Sequence, residues 1–188
     1  MTSDTLAGTV RAAHDWGLAS WLGGAMFGKF ALNPSVRTIG DKSERGKVTN
    51  TAWNGYNLVN SLSLAAVATG WLGARATEAR PDRLTENERR LAKVKDACTM
   101  AGVATGVATG IQGARLARQA PEGAVAVESG TRPAPETPKS AASIQRTIGA
   151  LGTANIAAGV GIVISNALLA QAAHSRPPLR RALLRRSA

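Results

Sequence analysis

Lys29 is the residue whose position most invites chemistry. It follows thirteen residues, Trp16 to Gly28, without a single Asp, Glu, Lys or Arg. An ionisable side chain inside an apolar run is costly in a membrane and is a functional candidate by default. Asn54, Asn57 and Asn60 recur at a spacing of three in the next apolar run, with Ser61 and Ser63 beside them. That spacing places the three amides along one side of a helix. At 1.5 Å per residue Lys29 stands about 20 Å beyond Trp16. A returning helix brings Asn54 and Asn57 to similar depth. Two readings follow. In one, the amides hold Lys29 in a polar intramembrane path, as a small transporter or channel requires. In the plainer one, which is preferred because no carboxylate shares that depth to form a relay, Lys29 snorkels to the headgroups and the asparagines bond helices together.

The other candidates are weaker. His14 and His174 fall at the same end of the first and last apolar runs. Two histidines on facing helices can ligate a haem, which would make the chain a haem- or quinone-linked redox subunit. The bland alternative reads His14-Asp15-Trp16 as an interfacial anchor, with tryptophan at headgroup depth. Cys98 is the one cysteine, so neither an internal disulfide nor a cysteine metal cluster can form. Its apolar surroundings predict a buried thiol. There is no metal-ligand spacing, no glycine-rich phosphate loop, and no serine with an evident His/Asp partner set. The expectation is a non-enzyme with no catalytic residues, no cofactor and no metal.

The elements that carry these residues emerge from how charge is distributed. The 188 residues have 44% hydrophobic side chains and net charge +11, with a mean hydropathy of -0.06. That average conceals segregation. Val48–Ala74, Ala97–Ala114 and Thr147–Ser175 contain no formal charge. Water-soluble amphipathic helices place charge every few residues on the wet face. About 20 uncharged, mostly apolar residues span a hydrocarbon core of ~30 Å. The spacing predicts an all-α, four-helix transmembrane bundle with spans at about 12–31, 52–74, 97–114 and 148–172, forming a single membrane domain. Span three is the weakest, with Thr99, Thr105, Thr109 and Gln112. Asn33-Pro34 is expected to end span one, since proline disfavours helix in the residue before it. Thr85-Glu86-Asn87-Glu88 has the form of a capping box, predicting a helix that starts there and enters span three. Residues 118–140, with Pro121, Pro133, Pro135 and Pro138, have little to bury and are expected to form a flexible loop. No cleavable signal peptide is expected, because no clear small-x-small site follows the first apolar run.

Lipid gives helices no hydrophobic reason to associate, so small residues at helix interfaces matter. Gly24 and Gly28 in span one, Gly102, Gly106 and Gly110 in span three, and Ala157 and Gly161 in span four stand at spacings of four and are the expected packing positions. Val67–Arg75 recurs as Val107–Arg115, with seven of nine positions identical. In this alanine- and glycine-rich context the echo is read as local duplication or coincidence.

Aromatic residues are only 4% and no nucleic-acid module is present, so the positive charge is not read as a nucleic-acid interface. It follows the rule that cytoplasmic loops are rich in Lys and Arg. Thirteen such residues lie on the side of the termini and nine on the other. This places both termini in the cytoplasm and the chain, multi-pass, in a bacterial plasma membrane. Arg176, Arg180, Arg181, Arg185 and Arg186 beside the last span predict contact with anionic lipid headgroups. A homo-oligomer or a membrane-protein partner is compatible with the small-residue stripes.

The stretch His14–Gly24 through Phe30-Ala31-Leu32-Asn33-Pro34, with Arg45-Gly46-Lys47 leading to Trp53-Asn54-Gly55-Tyr56-Asn57, resembles uncharacterised integral membrane proteins of high-GC actinobacteria. The resemblance covers mainly the first 75 residues and implies a source, not an activity. The expected role is a structural or interaction component of the cell envelope, ahead of the transporter and redox alternatives.

Overall fold

Local sequence signals set the ends of several helices. Asp41 caps the second long helix by accepting the Glu44 amide at 2.8 Å. Thr85 and Glu88 form the reciprocal capping box anticipated from sequence, with the Thr85 amide donating to Glu88 Oε2 at 2.8 Å. The computed structural model describes residues 3–175. Its long helices are α1 Ser3–Phe27, α2 Lys42–Ala76, α3 Glu86–Ala117 and α4 Lys139–His174. One short ribbon, β1 Val127–Ser129 antiparallel to β2 Arg132–Pro133, is the exception to an all-α chain. The basic tail with Arg176, Arg180, Arg181, Arg185 and Arg186 lies outside the described residues.

The four helices run up and down in sequence. His14 meets Gly70, Gly17 meets Ser63 and Gly28 meets Trp53, so α1 and α2 are antiparallel. Asn155 reaches Gly102, and Cys98 meets Gly161, so α3 and α4 are too. Contacts between α1 and α4 and between α2 and α3 close the arrangement. Leu18, Trp21, Leu64, Val67 and Ile162 form an apolar layer near mid-height, with Cys98, half-buried, and Val103 against it. A second cluster of Trp71, Ala79 and Ala92 sits at the end where the α2–α3 turn lies.

Several expectations need correction. Asn33-Pro34 does not end α1. The helix passes through a π turn at Gly28–Leu32, an α turn at Asn33–Ser35 and a 3-10 turn at Val36–Thr38 before Ile39 becomes extended. Widening the helix just before Pro34 gives room to a ring that would otherwise strike the preceding turn. The sequence predicts a flexible loop over 118–140 with little to bury, but residues 139 and 140 already belong to α4, and the remainder is not loose. Residues 118–138 fold over the α1–α2 end as a cap, burying Val125, Val127, Ala134 and Thr137. The Gly130 amide donates to the Asn33 carbonyl at 3.1 Å, and Arg45 donates to the Glu128 carbonyl at 3.2 Å. The three apolar side chains are too scattered among prolines to show a period, yet each finds a neighbour in the cap.

The small residues act as sockets for large side chains rather than as smooth backbone contacts. The Trp21 ring fills the notch at Gly102, Tyr56 that at Gly24, Trp53 that at Gly28, Leu64 that at Gly106, and Cys98 that at Gly161. Gly110 has nothing close enough to pack, and Ala157 is exposed, so neither is a packing position.

Candidate functional site

Above the apolar layer the four helices separate and leave a cavity of about 230 Å³. One wall is a stripe of α2: Gly46, Thr49, Asn50, Trp53, Asn54, Asn57 and Asn60. These residues recur every three or four positions and therefore share a face. The opposing wall is made of small residues of α3, Gly106, Thr109, Gly110 and Gly113, whose missing bulk creates the space. From α4 come Gln145, Gly149, Gly152 and Asn155, and from the π turn and its neighbour come Lys29 and Asn33. The cap supplies the roof through Val125, Val127 and Gly130. Asn54, Asn57, Gly110 and Ala114 at the edge are exposed, so the cavity opens between α2 and α3.

Seven carboxamides line this space, and Lys29 is the one charged side chain among the described residues that do. The structure thus brings Lys29, Asn54, Asn57 and Asn60 to a common cavity. It differs from the sequence reading in the partner of Lys29. Its Nζ donates to Thr153 Oγ1 of α4 at 2.5 Å, and Thr153 Oγ1 donates in turn to the Gly149 carbonyl at 2.9 Å. Lys29 lies within the π turn, a deformation common at functional positions.

The floor is closed. Trp21 Nε1 donates to Asn155 Oδ1 at 2.9 Å, and Asn155 Nδ2 donates to the Gly102 carbonyl and to Thr105 Oγ1, each at 3.0 Å. The apolar layer of Leu18, Leu64, Val67 and Ile162 lies below. The polar face of the cavity therefore ends at mid-height. At the top, Trp53 Nε1 donates to Asn33 Oδ1 at 3.4 Å. Gln145 differs from these satisfied amides. It is 1% exposed, and neither its Oε1 nor its Nε2 has a hydrogen-bond partner.

Sequence reasoning missed Asn33, Asn50, Gln145 and Asn155. Asn50 was within reach, since the α2 stripe extends back from Asn54 at the same spacing. Gln145 and Asn155 are isolated polar residues on an alanine-rich helix and give no signal without their neighbours.

Ion pairs on the cap side are exposed. Glu136, chiefly through its hydrogen bond, holds Lys42 above the ordinary lysine range, with Glu128 adding to it. Lys47 is raised in the same way by Glu122. At such exposure these pairs add little to stability.

A second polar cluster lies at the opposite end. Lys95 is buried with its Nζ 3.9 Å from the centroid of the Trp71 ring. Trp71 Nε1 donates to Asp96 Oδ1 at 2.7 Å, and Arg75 Nε pairs with the same oxygen at 3.2 Å. Burial is the main cause that lowers Lys95 to about 8, opposed by Asp15, Glu78 and Asp96. His14 is buried beside this cluster, with Nδ1 3.0 Å from Asp15 Oδ1. His174 is exposed in the last turn of α4. His14 and His174 share no hydrogen bond, and one is buried while the other is exposed. Among the described residues no group of three His, Cys, Asp or Glu side chains is placed to hold a metal.

No protein-family model, curated protein or solved structure matches the chain.

Proposed function

We propose that the chain is a four-pass membrane protein whose non-cytoplasmic half encloses a binding cavity for a small polar solute. The observation that carries this reading is a set of large apolar side chains on the outside together with uncharged polar ones inside. Phe27, Phe30, Leu58, Leu62, Met100, Ile111 and Ile164 face outward, while Asn155, Gln145, Ser63, Ser165 and Thr99 are buried. Buried polar groups combined with an extensive exposed apolar surface are uncommon in a protein surrounded by water. Of the four helices, α4 alone is long and apolar enough to cross a membrane on composition, and 22% of its most apolar stretch is buried inside the protein. So exposed an apolar helix needs lipid or another protein around it. α1, α2 and α3 fall short in hydropathy because the residues facing the cavity and the small-residue sockets dilute their apolar outer faces.

Binding fits the cavity better than catalysis. Acid–base work needs a positioned proton donor and acceptor, and this wall offers carboxamides and one ammonium. The cavity also favours a solute-binding component, of the kind a small transporter contains, over a purely packing or interaction role. The lysine and arginine distribution supports cytoplasmic termini, which puts the cap and the cavity mouth on the outer side.

The test is fractionation of cells expressing the full chain, with reporter fusions within 77–85 and 118–138. Recovery that requires detergent, with the two reporters in opposite compartments, is expected. A chain that stays monodisperse in plain buffer overturns the membrane reading.

A further inference from the structure

We infer that the solute is a small hydroxylated anion, with Lys29 as its counter-charge and Gln145 as a specific hydrogen-bond partner. The inference deepens the proposed cavity function and rests on it. Two independent observations point to the ligand. The first is charge: Lys29 borders a cavity to which no described residue brings a carboxylate. A lysine in such surroundings is stabilised by an anion, and an ammonium binds phosphate well as a point charge. The second is Gln145, 1% exposed, lining the cavity, with both ends of its amide unpartnered. An orphaned buried amide is expensive, and it asks for a ligand that both accepts and donates. Asn50, Asn54 and Asn57 present the same mixed donor and acceptor chemistry on the facing wall. An oxyanion alone only accepts, whereas hydroxyl groups on the same molecule use the amide oxygens as well.

Size and access narrow the class further. A volume of about 230 Å³ holds about seven or eight water-sized groups at about 30 Å³ each. That matches a phosphate bearing a short polyol. The mouth between α2 and α3, at Asn54, Asn57, Gly110 and Ala114, opens sideways beneath the cap. The same phosphate–polyol chemistry can therefore arrive as a free molecule or as the headgroup of a lipid.

The experiment measures thermal stabilisation of the purified full chain by glycerol phosphate and by short-chain phosphatidylglycerol. Glycerol and short-chain phosphatidylcholine serve as the neutral and zwitterionic controls. At least one of the two phosphoglycerol probes is expected to stabilise the wild type, and which binds tighter identifies the source. Lys29→Gln keeps a hydrogen-bonding group near Thr153 and should weaken that probe by about tenfold or more, the usual weight of a charge-assisted contact. Gln145→Met should weaken it several-fold while leaving the melting temperature of the unliganded protein equal or higher, because it removes an unpaired buried amide. That second signature separates lost binding from failed folding. Silence of both phosphoglycerol probes on the wild type, equal binding of glycerol, or unchanged affinity in Lys29→Gln overturns the inference. A chain that needs detergent yet ignores both probes loses the anion and keeps the membrane. One that binds glycerol phosphate in plain buffer does the reverse.

Discussion

Lys95 shows how much of a residue's behaviour is set by neighbours the sequence does not place beside it. In sequence it is one of seven basic residues from Arg75 to Asp96, a link dense in both signs that marks none of them out for burial. In the structure it is buried over the Trp71 ring, and its ammonium drops from the usual 10.5 to about 8. Between those two values the unfolded chain carries a proton that the folded chain has released. Stability contributed by this residue therefore grows from pH 8 to 10.5 and is lost as pH falls through 8. Wild type should gain in melting temperature on Lys95→Met across that window, measured in parallel titrations. Equal slopes for the two proteins would show that the lysine is not desolvated. Lys29 and the asparagines were legible earlier because a charge in an apolar run and a three-residue repeat are local patterns. Gln145 and Asn155 were not, since an amide becomes a site only through what faces it.

At the scale of elements, charge-free length was informative. The expected spans at 52–74, 97–114 and 148–172 lie inside longer helices, the one at 12–31 runs through α1 into the π turn, and the capping box at Thr85 is present. The proline-rich stretch was misjudged because its apolar residues are buried against other segments rather than against one another. Gly46 tests that docking. Its α carbon lies against the Val125 carbonyl, leaving no space for a side chain, whereas Gly55 on the same helix faces open space. Gly46→Leu should cost about 1–3 kcal/mol through overpacking and expose 118–138 to limited proteolysis. Gly55→Ala should be neutral or stabilise by up to about 1 kcal/mol through helix propensity. Matching effects at the two glycines would mean that the cap is not held by α2. The π turn was also invisible in advance. Pro34 signalled irregularity but not whether the helix would stop or widen.

For the whole molecule, the question is which solvent the outer face meets. The charged residues gather at the two ends of the helices, and the belt between them carries Leu58, Leu62, Leu72, Val107, Ile111 and Val163 outward. Leu62 is 60% exposed and stands near the middle of the second expected span. If water surrounds it, Leu62→Arg is an ordinary surface substitution, worth within about 0.5 kcal/mol either way. If hydrocarbon surrounds it, an arginine at the centre of a span costs about 2.5–3.5 kcal/mol on insertion scales. Val48→Arg, beyond the end of that span, provides the matched control, because an arginine there reaches the headgroups. The yield of folded protein in the membrane fraction should fall steeply for Leu62→Arg and hardly change for Val48→Arg. Equal yields would mean that depth along α2 carries no cost, and the belt would then have to be covered by protein instead of lipid.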